Sequence, residues 1–189
     1  ILLSNLIQKT MKNVFRFFAA IAFTALIFSG CEKIKSVADV SFETTLSGDL
    51  DCVVPVAVTR ETDYAFSAST LIDPTSDPNV EKYLNNIKGY EIQSMKGTIT
   101  NISKNVTLLN STMTVSNTSG TANWQFTNVP LTVGTTFTLD NGNGQWNTVN
   151  QILMSKQPFT VSIVGETDQE GVSFTIQVEI KVKVTANPL

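Results

Sequence analysis

The chain has 189 residues, room for one domain or two small ones, with 13 basic against 16 acidic side chains, two cysteines and no histidine. The lack of histidine excludes Ser/His/Asp and Cys/His nucleophilic schemes, His-ligated zinc or haem, and the commonest general base near neutral pH. The acidic balance excludes the electrostatic footprint of a nucleic-acid binder.

Residues 1–10 precede a methionine that already has a complete export signal behind it, so they are read as an upstream extension from a misplaced start. In residues 11–30, Lys12 and Arg16 form a basic n-region ahead of a twelve-residue apolar run, FFAAIAFTALIF, that ends in Ser29 and Gly30. Twelve residues fall short of the roughly 20 that an α-helix needs to cross a bilayer. Basic start, short apolar core and small residues together describe a secretory signal peptide.

The end of that segment, Phe28-Ser29-Gly30-Cys31, resembles the bacterial lipobox, with Phe28 standing where leucine is usual. The resemblance covers about 20 residues. It implies that the Cys31 thiol receives a diacylglycerol and that the chain is cut just before it, so that the membrane is a partner through the lipid. Two acyl chains suffice for stable anchoring where one does not. The alternatives are an ordinary cleaved signal with an incidental cysteine, and an uncleaved anchor.

Removing residues 1–30 takes Lys9, Lys12 and Arg16 with it and leaves 10 basic against 16 acidic side chains, a net charge of about −6. Residues 31–37 form a short polar tether, and residues 38–189 one domain. A domain of that size buries roughly 70% of its unfolded surface, so it requires neither metal nor disulfide to fold. With Cys31 acylated, Cys52 has no partner and reads as a buried small hydrophobe. A Cys31 to Cys52 disulfide remains open only if lipidation fails.

From residue 40 the pattern has period two. Val40, Phe42, Thr44 and Leu46 alternate with polar residues, Ser47-Gly48-Asp49 reads as a turn, and Leu50, Cys52, Val54, Val56 and Val58 resume the alternation. The expectation is a hairpin whose second arm lies at an edge or bulge because of Pro55. Tyr64, Phe66 and Ala68 form a further strand. Asp77-Pro78 fits an N-cap followed by proline at the first helical position, opening a short helix over residues 79–87.

The Thr/Ser/Asn-rich middle predicts short strands over residues 90–92, 98–102, 106–115, 124–129 and 135–139. Asp140-Asn141-Gly142-Asn143-Gly144 is a turn. Trp146, Val149, Ile152 and Leu153 then recur at helical spacing until Gln157-Pro158 ends a second helix. Phe159, Val161 and Ile163 alternate next, and a loop over residues 166–171 follows. Last comes the clearest strand, with Val172, Phe174, Ile176, Val178, Ile180, Val182 and Val184 on one face and polar residues on the other. Its length suggests a bend or a change of partner. The expected fold is mainly β: a two-layer antiparallel β-sandwich of about eight to ten strands with two short helices.

Candidate chemistry is thin. Asp49 and Asp51, two apart on a strand, project to one face, and Glu166, Asp168 and Glu170 repeat the spacing in a loop. Either set has the oxygen chemistry of a calcium site, but solvated loop charge explains both. Residues 140–144 lack the ligand order of a calcium loop, since Gly142 sits where a ligand belongs. Trp124, Trp146, Tyr64, Tyr83 and Tyr90 form either a stacking platform for a sugar or peptide or, as their core spacing favours, part of the interior. No catalytic residue, cofactor or metal is assigned.

The chain is therefore similar in type to small β-sandwich lipoproteins of Gram-negative envelopes, particularly those of Bacteroidota. The type names no activity; the first expectation is a non-enzymatic envelope protein, a binding, adhesion or assembly module with an unidentified protein or glycan ligand. Two alternatives stand beside it. One is an envelope glycan hydrolase using paired carboxylates. The other is a surface-filament subunit whose long final strand lies at an edge or is exchanged between chains.

Overall fold

The computed structural model describes residues 39–56 and 64–187. The extension, the signal segment, Cys31 and the tether lie outside the described residues, as does Val58. Among the described residues, eight strands form two four-stranded sheets that pack face to face: β1 (Val40–Val54), β2 (Ala65–Ile72), β3 (Ile87–Ile102), β4 (Val106–Asn117), β5 (Gly120–Leu131), β6 (Thr136–Thr138), β7 (Phe159–Thr167) and β8 (Val172–Ala186). The first sheet has the order β1-β8-β3-β6 and the second β2-β7-β4-β5, every pair antiparallel. The expected β-sandwich is the observed architecture.

β8 is the spine of the first sheet. Its apolar alternation puts Val172, Phe174, Ile176, Val178, Ile180, Val182, Val184 and Ala186 into the core, none more than 3% exposed. Burying each such Val or Ile contributes roughly 1.5–3 kcal/mol relative to exposure. β8 neither changes partner nor reaches an edge: β1 flanks it on one side and β3 on the other along its run. The filament alternative places this strand at an edge or exchanges it between chains; its central position in the sheet counts against that alternative.

Two expected boundaries are corrected. Ser47-Gly48-Asp49 is not a turn; β1 runs straight through it, pairing with Glu179, Val178 and Gln177. Gly48 is in phase with the inward positions and is glycine for close approach: a Cβ there would lie 2.9 Å from Thr70 Cγ2 and 3.1 Å from Ile72 Cγ1 on β2. The edges of the two sheets meet at that point. Pro55 follows β1, an edge strand as expected.

The two segments expected over residues 90–92 and 98–102 are parts of one strand, β3, whose register against β8 shifts at three places. The shift between Ile92 and Ser94 reverses the inward parity from Tyr90 and Ile92 to Met95, Gly97 and Ile99. A β-bulge that adds one residue has this effect.

Helix α1 (Pro78–Tyr83) begins as the sequence predicts. Asp77 accepts N–H donation from Asn79 at 2.8 Å and Val80 at 3.0 Å, and Pro78 occupies the first turn. The helix stops earlier than residue 87. A 3₁₀ turn (Leu84–Asn86) follows, and Ile87 belongs to β3. Burial opposes ionisation of Asp77, but the Thr44 hydroxyl and the two amides outweigh it and hold the carboxyl below its ordinary value. Helix α2 (Gln145–Met154) buries Val149, Ile152 and Leu153 against β5, β3 and β4, and closes the sandwich on the side away from β1 and β2. Among the described residues, no helix is long and apolar enough to cross a membrane.

Candidate functional site

A polar groove of about 400 Å³ lies between β5 and the segment that runs from β6 into α2. Its volume is that of a small-molecule site. Asn123, Gln125 and Phe126 of β5 form one wall. Thr138, Asp140, Asn143 and Gln145 form the other, and Trp124 lies beneath.

The second wall is held by the two tryptophans. Trp124 is 5% exposed and donates its indole N–H to the Asp140 carbonyl at 2.7 Å, while Trp146 donates its own to the neighbouring Leu139 carbonyl at 2.9 Å. Indoles from an adjacent strand and from the helix thus fix consecutive carbonyls of one loop. The loop adds its own turn bonds. The Asn141 side chain accepts the Trp146 amide at 3.0 Å, Asp140 accepts the Gly142 amide at 3.3 Å, and Gln145 accepts the Asn143 amide at 2.8 Å. Gly144, at φ 78°, takes the left-handed conformation that lets the chain enter α2. The residues 140–144 are thus the expected turn.

Neither tryptophan is a free stacking surface. Trp124 is in the core, and Trp146 packs half-buried against it. Tyr64 and Tyr83 also pack against the core, Tyr83 beside Phe42 with ring centroids 5.7 Å apart. Tyr90 is buried, and its hydroxyl has no hydrogen-bond partner among the described residues. Burial, reinforced by the Asp77 charge, pushes that phenol up to about 12.

The expected acidic candidates are dispersed. Asp49 and Asp51 share the exposed face of β1, where Asp51 accepts the Thr175 hydroxyl at 2.8 Å. Glu166 accepts from the Asn110 side chain at 2.8 Å and Asp168 from the Thr107 amide at 2.8 Å. Glu170 is likewise engaged. Among the described residues, no three His, Cys, Asp or Glu side chains are grouped to hold a metal ion. A second groove, of about 330 Å³, contains Asp73 and Asp77, but both carboxylates serve as caps, Asp73 taking the Thr75 amide at 2.8 Å and its hydroxyl at 2.7 Å. Cys52 is the buried hydrophobe expected: 1% exposed, its thiol pushed up to about 12 by desolvation and then by Asp51, and so a poor nucleophile at neutral pH.

The pattern along the chain does not reveal the groove, because its walls come from separate segments, β5 and residues 138–145. A signal was present. Asn123-Trp124-Gln125 and Asn143-Gly144-Gln145 both place an amide pair at a spacing of two, the first on β5 and the second at the mouth of α2. The chain matches no protein-family model and no curated protein.

Proposed function

We propose that the chain is a lipid-anchored envelope protein, held through a diacylglycerol on Cys31, whose β-sandwich is a non-enzymatic binding or assembly module. The observation that carries this reading is the order of parts. A basic start, a twelve-residue apolar core and Ser29-Gly30-Cys31 come first, and only eight residues separate Cys31 from the first strand at Val40. The module then stands close to the membrane surface. The polar groove, with walls fixed by indole hydrogen bonds, supports recognition, since a preorganised site avoids part of the ordering cost of binding.

Feeding an alkyne fatty acid to cells that express the chain tests the anchor. Label is expected on the wild-type protein and none on Cys31→Ala, together with a mature mass lacking residues 1–30. A leader still attached, or an unmodified Cys31 thiol, overturns the reading.

A further inference from the structure

We infer that the groove between β5 and the mouth of α2 binds a neutral polysaccharide, whose chain extends from the groove onto the outer face of the second sheet. The inference deepens the binding-module reading and rests on it. Three observations carry it.

The first is the chemistry of the walls. Asn123, Gln125, Thr138, Asn143 and Gln145 present amides and a hydroxyl, Asp140 is the one charged group, and there is no Lys or Arg. Amides and hydroxyls both donate and accept, which suits vicinal sugar hydroxyls. An anionic polymer finds no cation here. The second is availability. No side-chain hydrogen bond within the described residues takes up Gln125, Thr138 or Asn143. Asn123 spends its oxygen on the Thr114 hydroxyl at 2.8 Å and thereby orients its amide N–H₂. Half-buried Phe126, backed edge-on by Phe137 with centroids 5.1 Å apart, supplies an apolar surface for a sugar C–H face.

The third is continuity with the sheet. The register aligns Ser69, Ser162, Thr114 and Asn123 in one row across β2, β7, β4 and β5, and Ser67, Val164, Thr112 and Gln125 in the next. Both rows are uncharged, and both end in the groove. Side chains about 4.8 Å apart from strand to strand within each row give an extended glycan repeated polar contacts without charge.

Affinity electrophoresis of the full chain in a non-ionic detergent, through gels containing a β-glucan, a galactomannan or a starch glucan, tests this. Retardation by at least one of the three is expected, with none in polygalacturonate. The Gln125→Ala/Asn143→Ala double variant should bind at least tenfold more weakly, and Lys183→Ala on the opposite sheet should bind as the wild type does. Trp124→Phe keeps the ring but loses the bond to Asp140, and should weaken retardation while leaving the circular dichroism spectrum unchanged. No retardation in any neutral gel, retardation that the double variant does not reduce, or stronger retardation in polygalacturonate overturns the inference. Cross-linking in whole envelopes separates the two readings. A protein partner lost in the double variant, without glycan retardation, keeps the binding module and removes the polysaccharide.

Discussion

The two outer faces of the sandwich rest on one shared core and differ in what they show to water. The strands of the first sheet carry nine charged residues, while those of the second carry one, Glu166. On the first, Glu43 lies across from Lys183 and Ser47 across from Glu179, and the ion pairs Lys181–Glu43 and Lys96–Glu179 close at 2.9 Å. On the second, rows of Ser, Thr, Asn and Gln face outward around three exposed apolar residues, Leu71, Leu109 and Val164. Charge on a sheet surface keeps other chains at a distance, and an uncharged sheet gives up that protection. Under the proposed binding reading, the second sheet is the contact face and the first the solvated one.

The inner sides of the same sheets should differ most under mutation. A Cβ added at Gly165 of β7 would sit 2.6 Å from the Asn110 carbonyl oxygen and 2.7 Å from Ser111 Cβ, so the second sheet's backbone would have to move. At Gly97 of β3 the nearest atom is a side-chain methyl, Ile176 Cγ2, at 2.9 Å. Overpacking costs about 1–3 kcal/mol and more where nothing yields. Gly165→Ala is expected to lower unfolding stability by about 3 kcal/mol and Gly97→Ala by about 1 kcal/mol, read by urea denaturation. Equal losses would mean that both sheets yield alike around their glycines.

Much of this arrangement is legible in residue spacing. The strict alternation of β8, the Asp77-Pro78 helix start and the turn at residues 140–144 each depend on local chemistry, and all three appear where the pattern places them. Composition alone divides β1, because Ser47-Gly48-Asp49 has the character of a turn. The even-numbered phase in fact continues unbroken from Val40 through Gly48 to Val54, and a glycine in phase signals a close neighbour. β3 reads as two segments for the opposite reason, since a bulge near Gln93 does break the phase within a single strand. The groove depended on pairing that spacing does not encode: Trp124 meets Asp140 only once the two sheets are stacked.

Acid should affect the charged face first. Hydrogen bonds from Gln93 at 2.9 Å and from Lys181, together with the Lys181 charge, hold the Glu43 carboxyl below its ordinary value near 4.5. A carboxylate depressed on folding adds stability above its unfolded value and loses that stability as pH falls through the folded one. The wild type is therefore expected to melt above Glu43→Gln at pH 7, with the gap closing towards pH 3. Thr114→Val on the other face should give a difference from wild type that does not vary with pH. A Glu43 gap that persists at pH 3 would place its origin in packing.

The smallest expected effect separates the faces by salt. Lys96 and Glu179 are 48% and 33% exposed, so screening limits their pair to a few tenths of a kcal/mol. Lys96→Ala should lower stability by that amount in dilute buffer. At 1 M salt the screening length falls to about 3 Å, and the difference should vanish. Ser162→Ala, in the middle of the uncharged face, has no ion pair to screen, so its effect should be the same at both salt concentrations. Denaturation midpoints at two ionic strengths measure both. A salt-dependent Ser162 variant would mean that the uncharged face feels charges from elsewhere on the domain, and the division between the faces would then lie in composition and not in field.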